Sequence, residues 1–98
     1  MEAKSLRLEL RASGDADRPV SANCSLIHIT QGVAYLDFGF VEPEVFVQLS
    51  KRAEANEPFP DVIEGKLVMR VAISPQALLR LKEQTDEVLR KVGILSKE

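Results

Sequence analysis

The sequence holds few of the residues on which small proteins commonly rely for catalysis, metal binding or cross-linking. It has one cysteine, one histidine and no tryptophan in 98 residues. Cys24 cannot form a disulfide within the chain, and small secreted domains usually need disulfides, so a reducing compartment is expected. Cys24 and His28 lie roughly 13 Å apart along one strand and fall short of a four-ligand zinc site. We therefore expect no catalytic dyad, no metal and no cofactor.

Long apolar runs and an excess of one charge are also absent. Thirteen Lys and Arg against fifteen Asp and Glu give a net charge of −2, so nucleic acid and anionic membranes are not expected partners. No stretch approaches the roughly 20 apolar residues that span a bilayer, and the first residues do not resemble a secretory signal. Length and composition fit a single globular domain over residues 1–98, which we expect in the cytoplasm.

Four segments of the sequence have the residue pattern of β-strands, by alternation of side chains or by richness in β-forming residues. Leucine alternates with charged residues over residues 6–10, which predicts a first strand. Cys24–Thr30 and Val33–Phe40 predict a hairpin with its turn at Gln31-Gly32, where glycine accepts a positive φ. Lys66–Ile73 predicts the last strand. The sequence therefore predicts four strands in a largely antiparallel sheet.

The predicted hairpin register places Thr30 opposite Val33, although a bulge at Gly32 would shift it by one residue. One face of the sheet is then apolar along every strand, and the other mixes apolar with polar side chains. A fully solvated surface would not need such a mixture. The residues expected on the apolar face are Leu6, Leu8, Leu10, Ile27, Ile29, Leu36, Phe38, Phe40, Leu67, Met69, Val71 and Ile73.

The end of the sequence predicts an amphipathic helix. Ser74 suits the N-cap position and Pro75 the first helical position, because a serine oxygen accepts an amide hydrogen bond and proline lacks that N–H. Gly93 suits the residue after the helix. Apolar residues recur at spacings of three and four, as on one helix face. The predicted stripe is Leu78, Leu81, Thr85, Val88 and Val92.

The middle of the sequence allows two interpretations. Residues 43–54 form a short amphipathic helix if Pro43 occupies its first turn. Alternatively, Val45–Leu49 continues the hairpin as a strand. Pro58 and Pro60 end any regular element that precedes them. We favour the helix slightly.

These elements predict an α+β domain in which the C-terminal helix packs across one face of the sheet. The other face then exposes Leu26, Tyr35, Val68 and Ala72, an apolar area that is large for a monomer. We therefore expect a homodimer or homotetramer. The residues expected at an oligomer or partner interface are Leu26, His28, Tyr35, Val45, Phe46 and Leu49.

The absence of convergent catalytic groups favours a non-enzymatic interaction or adaptor protein with a chaperone-like or scaffold role. Such a protein could hold an extended partner at a free sheet edge or in an apolar groove. The alternative is a small ligand-binding domain or enzyme. The predicted register brings His28 beside Tyr35 and near Asp37, and an imidazole near a carboxylate is capable of acid–base chemistry.

Three short motifs carry a resemblance to known proteins. They are Ala22-Asn23 before the hairpin, Leu36-Asp37-Phe38-Gly39 at its end, and Ser74-Pro75 at the start of the helix. Their order resembles a bacterial family of small domains of unknown function. Because that family has no assigned activity, the resemblance implies no functional residues.

Overall fold

A computed structural model describes residues 5–96 and contains three strands and two helices. The strands are β1 (Cys24–Thr30), β2 (Val33–Phe40) and β3 (Lys66–Ile73), and they form one antiparallel sheet in the order β1-β2-β3. Helix α1 (Pro43–Glu54) lies between β2 and β3 in the chain, and helix α2 (Pro75–Lys91) follows β3. The expected α+β class is confirmed, as is the helical interpretation of residues 43–54.

The hairpin has the register that the sequence predicts. Thr30 pairs with Val33 and Ile27 pairs with Leu36, without a shift along the seven pairs of β1 and β2. Gln31 and Gly32 both have positive φ angles, 52° and 78°. A two-residue turn of this kind matches the twist of the strands that it joins. No bulge therefore forms at Gly32.

Residues 6–10 do not form the expected fourth strand of the sheet. They have no regular secondary structure and pair with no other strand among residues 5–96. Leu6, Leu8 and Leu10 are 96%, 82% and 87% exposed. Alternation gives a segment one apolar face, whereas a strand also needs a neighbouring backbone to complete its hydrogen bonds. Residues 5–96 therefore contain three of the four predicted strands.

A bulge in β3 corrects the expected position of Leu67. Phe38 pairs with Met69, but the next residue, Gly39, pairs with Leu67, so Val68 is an extra residue in β3. An extra residue inverts the alternation of side chains beyond it. Leu67 therefore lies on the opposite face from Met69. The sequence pattern, an unbroken alternation through Lys66–Ile73, does not reveal this inversion.

The two faces of the sheet differ in what covers them. Helix α2 lies beside the face that bears Ile27 and Leu36, which we call the α2 face. The other face bears His28 and Tyr35, and we call it the histidine face. Ser74 caps α2 as predicted, since its Oγ accepts a hydrogen bond from the Ala77 amide at 3.1 Å.

Few side chains are buried. Among residues 5–96 the buried apolar residues are Ala34, Leu36 and Val41, and no residue of either helix is fully buried. Helix α2 covers its face only in part, because a groove separates its apolar residues from the sheet. The predicted position of α2 on one face of the sheet is thus confirmed. Its predicted packing across that face is only partly confirmed, because α2 contacts only part of the face.

Asn23 fixes the start of β1 to the end of β2. Its backbone N–H donates to the Gly39 carbonyl at 2.9 Å. Its side-chain amide donates to the Val41 carbonyl and accepts from the Val41 N–H, both at 2.8 Å. The side chain thus continues the pairing pattern of the hairpin up to the residues that begin α1.

None of the helices among residues 5–96 is long and apolar enough to cross a membrane.

Candidate functional site

The histidine face carries the predicted polar cluster of His28, Tyr35 and Asp37, and Arg70 lies beside it. His28 and Tyr35 are directly paired across β1 and β2, and their rings stack with centroids 5.2 Å apart and planes inclined by 17°. Stacked aromatic pairs of this kind stabilise neighbouring strands. The structure therefore brings His28 and Tyr35 together as expected.

Asp37 forms its strongest contacts with Arg70 rather than with His28. Arg70 Nε donates to Asp37 Oδ1 at 2.6 Å, and Arg70 Nη2 donates to Asp37 Oδ2 at 2.9 Å. The pairing of β2 with β3 places the two residues opposite each other. Both carboxylate oxygens are thus held by one guanidinium group, a geometry that suits arginine particularly well. Among residues 5–96 no hydrogen bond joins His28 to Asp37.

The ion pair shifts the pKa of both partners. The hydrogen bonds from Arg70 lower the pKa of Asp37 below its usual value, the nearby positive charge of Arg70 adds to this effect, and partial burial opposes it. The same contacts raise the pKa of Arg70. Asp37 is therefore ionised at neutral pH and already neutralised by its partner. A carboxylate in this state is a poor general base for His28.

Replacing Arg70 by methionine is expected to return the pKa of Asp37 towards its ordinary value. Since the folded pKa is lowered, the ion pair stabilises the fold above the ordinary carboxyl pKa, and this contribution is lost as pH falls through the lowered pKa. The difference in stability between wild type and Arg70→Met should therefore shrink in acid. NMR titration of the Asp37 side-chain carbon measures the shift directly.

Asp86 provides an internal control in the same titration. A hydrogen bond from Lys82, 2.8 Å long, is the main cause that lowers the pKa of Asp86. Both residues lie on α2, whereas Arg70 lies on β3. The Asp86 titration should not change in Arg70→Met. Titration of Asp37 at the same pH in wild type and variant would contradict the assignment of the ion pair.

A groove of about 490 Å³ lies beside this ion pair, between the histidine face and α1. We call it the α1 groove. Its walls come from all three strands, α1 and the segment that precedes β3, so it collects residues that are distant in sequence. The apolar residues that line it include Leu26, Val41, Phe46, Ile63 and Leu67.

The α1 groove gathers only part of the predicted interface. Leu26 and Phe46 line it, whereas Val45 and Leu49 are half-buried elsewhere on α1. Sequence analysis did not identify Ile63 or Leu67 as site residues. Ile63 lies in an irregular segment without periodicity, and the bulge at Val68 moves Leu67 to this face. No pattern in the sequence carries either signal.

Within residues 5–96, no three His, Cys, Asp or Glu side chains converge as metal ligands would. Cys24 is exposed and borders the α1 groove.

Comparison with protein-family models, curated proteins and solved structures gives no match. The similarity to a bacterial family of small domains thus remains a prediction.

Proposed function

We propose that this chain is a non-enzymatic protein-binding domain that acts as a homo-oligomer and holds an extended segment of another protein in the α1 groove. The observation that carries the proposal is the groove itself, in which Leu26, Phe46 and Leu67 meet at an exposed surface. Exposed apolar surface of this kind marks sites of protein interaction. An adaptor or chaperone-like role follows from such a site.

The lining of the α1 groove indicates the chemistry of its partner. Apolar side chains form most of the groove, and the Asp37–Arg70 ion pair lies at its border. Apolar residues of an extended segment would fill the groove, while the exposed part of Arg70 offers hydrogen bonds to its backbone carbonyl groups. A partner with alternating apolar and polar residues matches this arrangement.

The second candidate function, a small ligand-binding domain or enzyme that uses His28, Tyr35 and Asp37, has weaker support. The stacked His28–Tyr35 pair favours it, because an aromatic surface can hold a planar ligand. Against it, Arg70 occupies both oxygens of the carboxylate that would assist His28. The single, exposed cysteine suits a reducing compartment, so we place the proposed binding activity in the cytoplasm.

A permanently unfolded protein provides a direct test of the proposed function. The probe is a reduced, carboxymethylated and fluorescently labelled protein, and binding is measured by fluorescence anisotropy. We expect saturable binding of this probe and none of its native, disulfide-intact form. Replacing Phe46 by serine should weaken binding about tenfold or more, because burying a Phe side chain contributes about 1.5–3 kcal/mol.

Val47 is the matched control for Phe46. The two residues are adjacent on α1 and equally exposed, 47% for Phe46 and 46% for Val47, but only Phe46 lines the α1 groove. Val47→Ser should therefore bind the unfolded probe as the wild type does. Equal weakening by both substitutions would reject the groove as the binding site, and no binding of the probe by the wild type would reject the proposed function.

A further inference from the structure

Residues 6–10 have the alternating sequence pattern of a strand but no strand beside them among residues 5–96. On their polar side, Arg7 Nη2 lies 2.6 Å from Glu9 Oε1, and Arg11 Nη2 lies 3.8 Å from Glu9 Oε2. Residues two apart share a face only when the backbone is extended. The charged face of this segment is therefore already organised. Its apolar face, which carries the three leucines, contacts almost nothing.

The segment also projects from the body of its own chain. A compact chain of about 100 residues has a radius of gyration of about 13 Å, whereas this structure has 18.7 Å and is 68 Å long. A turn at residues 13–18, closed by the Ala16–Ser13 and Arg18–Asp15 backbone hydrogen bonds, separates the segment from β1. In this structure the three leucines therefore do not lie on the sheet of their own chain.

Strand β1 offers a suitable acceptor for such a segment. It is an edge strand of seven residues with a regular register, so its outer edge has an unbroken row of backbone groups. The other edge strand, β3, contains the bulge at Val68, and bulges are one of the features that protect edges from pairing. Of the two edges, β1 is the one prepared for a further strand.

The apolar surface next to the β1 edge matches the leucines. A groove of about 500 Å³, the α2 groove, runs between the sheet and α2 on the α2 face. Ile27, Leu36, Leu78 and Leu81 line it, and Ile29 lies exposed on the same face. A strand added to β1 with its apolar side on this face would place leucine side chains against Ile27 and Ile29 and over the groove.

We propose that two copies of this chain form a dimer in which residues 6–10 of each copy add to the β1 edge of the other and cover its α2 groove. Every copy contains both the donor segment and the acceptor edge, so a two-fold symmetric pair satisfies both at once. The inference deepens the homo-oligomer in the proposed function and rests on it. The α1 groove lies on the other face of the sheet and stays open in this dimer.

The mass of the full chain in solution is the first measurement. Size exclusion with light scattering over a wide concentration range should give twice the 10.9 kDa of one chain. Hydrogen exchange on the same sample should show protected amides in residues 6–10. A monomer at every concentration would overturn the proposal. If the amides of residues 6–10 are nevertheless protected in that monomer, the segment is folded onto its own sheet.

Two substitutions separate the faces of the segment. Leu8→Asn removes an apolar contact and should convert the dimer to a folded monomer, as checked by circular dichroism. Arg7→Asn makes the same replacement on the charged face and should leave the dimer intact. A dimer that persists in Leu8→Asn, or one whose residues 6–10 exchange freely, would show a different interface and overturn the proposal.

The same variants distinguish this inference from the proposed function. Leu8→Asn should still bind the permanently unfolded probe, because its α1 groove is unchanged. If the wild-type chain binds the probe but is a monomer, the proposed dimer is rejected and the α1 groove is supported as the binding site. If the wild-type chain forms the dimer through residues 6–10 but binds no probe, the dimer is supported and the proposed function is rejected.

Discussion

Replacing Leu36 by alanine is expected to lower the free energy of unfolding by about 2–5 kcal/mol. Leu36 is 6% exposed and lies in the central strand, paired with Ile27 on one side and Val71 on the other. The residues around it come from both edge strands and from α2, so their collapse into the space left by the side chain would be limited. Because few other side chains are buried, nothing nearby compensates for the loss.

Val62→Ala is the control for this measurement. Val62 is 71% exposed and lines neither groove, so its truncation should change stability by about 0.5 kcal/mol or little more. Both variants are compared with wild type by urea denaturation at one fixed protein concentration, since dimer formation would make apparent stability depend on concentration. Equal effects of the two substitutions would show that Leu36 is not the centre of the core.

Sequence reasoning succeeds in this chain where local interactions decide the structure. The turn at Gln31-Gly32 determines the hairpin register, because two adjacent residues with positive φ leave one regular way to pair the strands. Ser74 and Pro75 likewise determine the start of α2 through a cap within one turn of helix. Each of these features depends on residues a few positions apart.

Sequence reasoning fails in this chain where a residue must contact another residue that is distant in sequence. The leucines of residues 6–10 define a face, yet the described part of the chain provides no strand beside them. The Asp37–Arg70 ion pair depends on the register between β2 and β3, which a 25-residue connection does not determine locally. The bulge at Val68 is a third example, since it becomes visible only when β3 is laid against β2.

The candidate site divides in the same way. His28 and Tyr35 belong to one hairpin, so local register predicts their pairing. The α1 groove brings together all three strands, α1 and an irregular segment. Sequence analysis identified Leu26 and Phe46 only as members of a wider predicted interface that also included His28, Tyr35, Val45 and Leu49. A tertiary groove has no periodicity of its own in the sequence.

Asn23→Ala is expected to destabilise the chain by about 2 kcal/mol. Both backbone groups of Val41, a buried residue, depend on the Asn23 side chain for their hydrogen bonds. Leaving a buried donor or acceptor unpaired costs about 1–3 kcal/mol each, and entry of water into the site reduces that cost. Urea denaturation measures the loss, and hydrogen exchange at the Val41 amide, which should become faster, locates it.

Two further variants test whether the amide group itself is responsible. An aspartate at this position, Asn23→Asp, can still accept from the Val41 N–H but cannot donate to the Val41 carbonyl, so its stability should lie between wild type and Asn23→Ala. Ser21→Ala, two residues earlier on an exposed part of the chain, should have almost no effect. An Asn23→Ala variant as stable as Ser21→Ala would contradict the predicted role.

The position of Asn23 connects this stability effect to binding. Val41 lies two residues before the first residue of α1 and lines the α1 groove, so the two hydrogen bonds hold the start of the helix beside β1. If they are lost, Phe46 is no longer held opposite Leu26. Asn23→Ala should therefore weaken binding of the unfolded probe even at low temperature, where the variant remains folded, while residues 6–10 and the β1 edge keep the dimer. A variant that loses stability but binds with wild-type affinity would show that Asn23 supports the fold and not the groove.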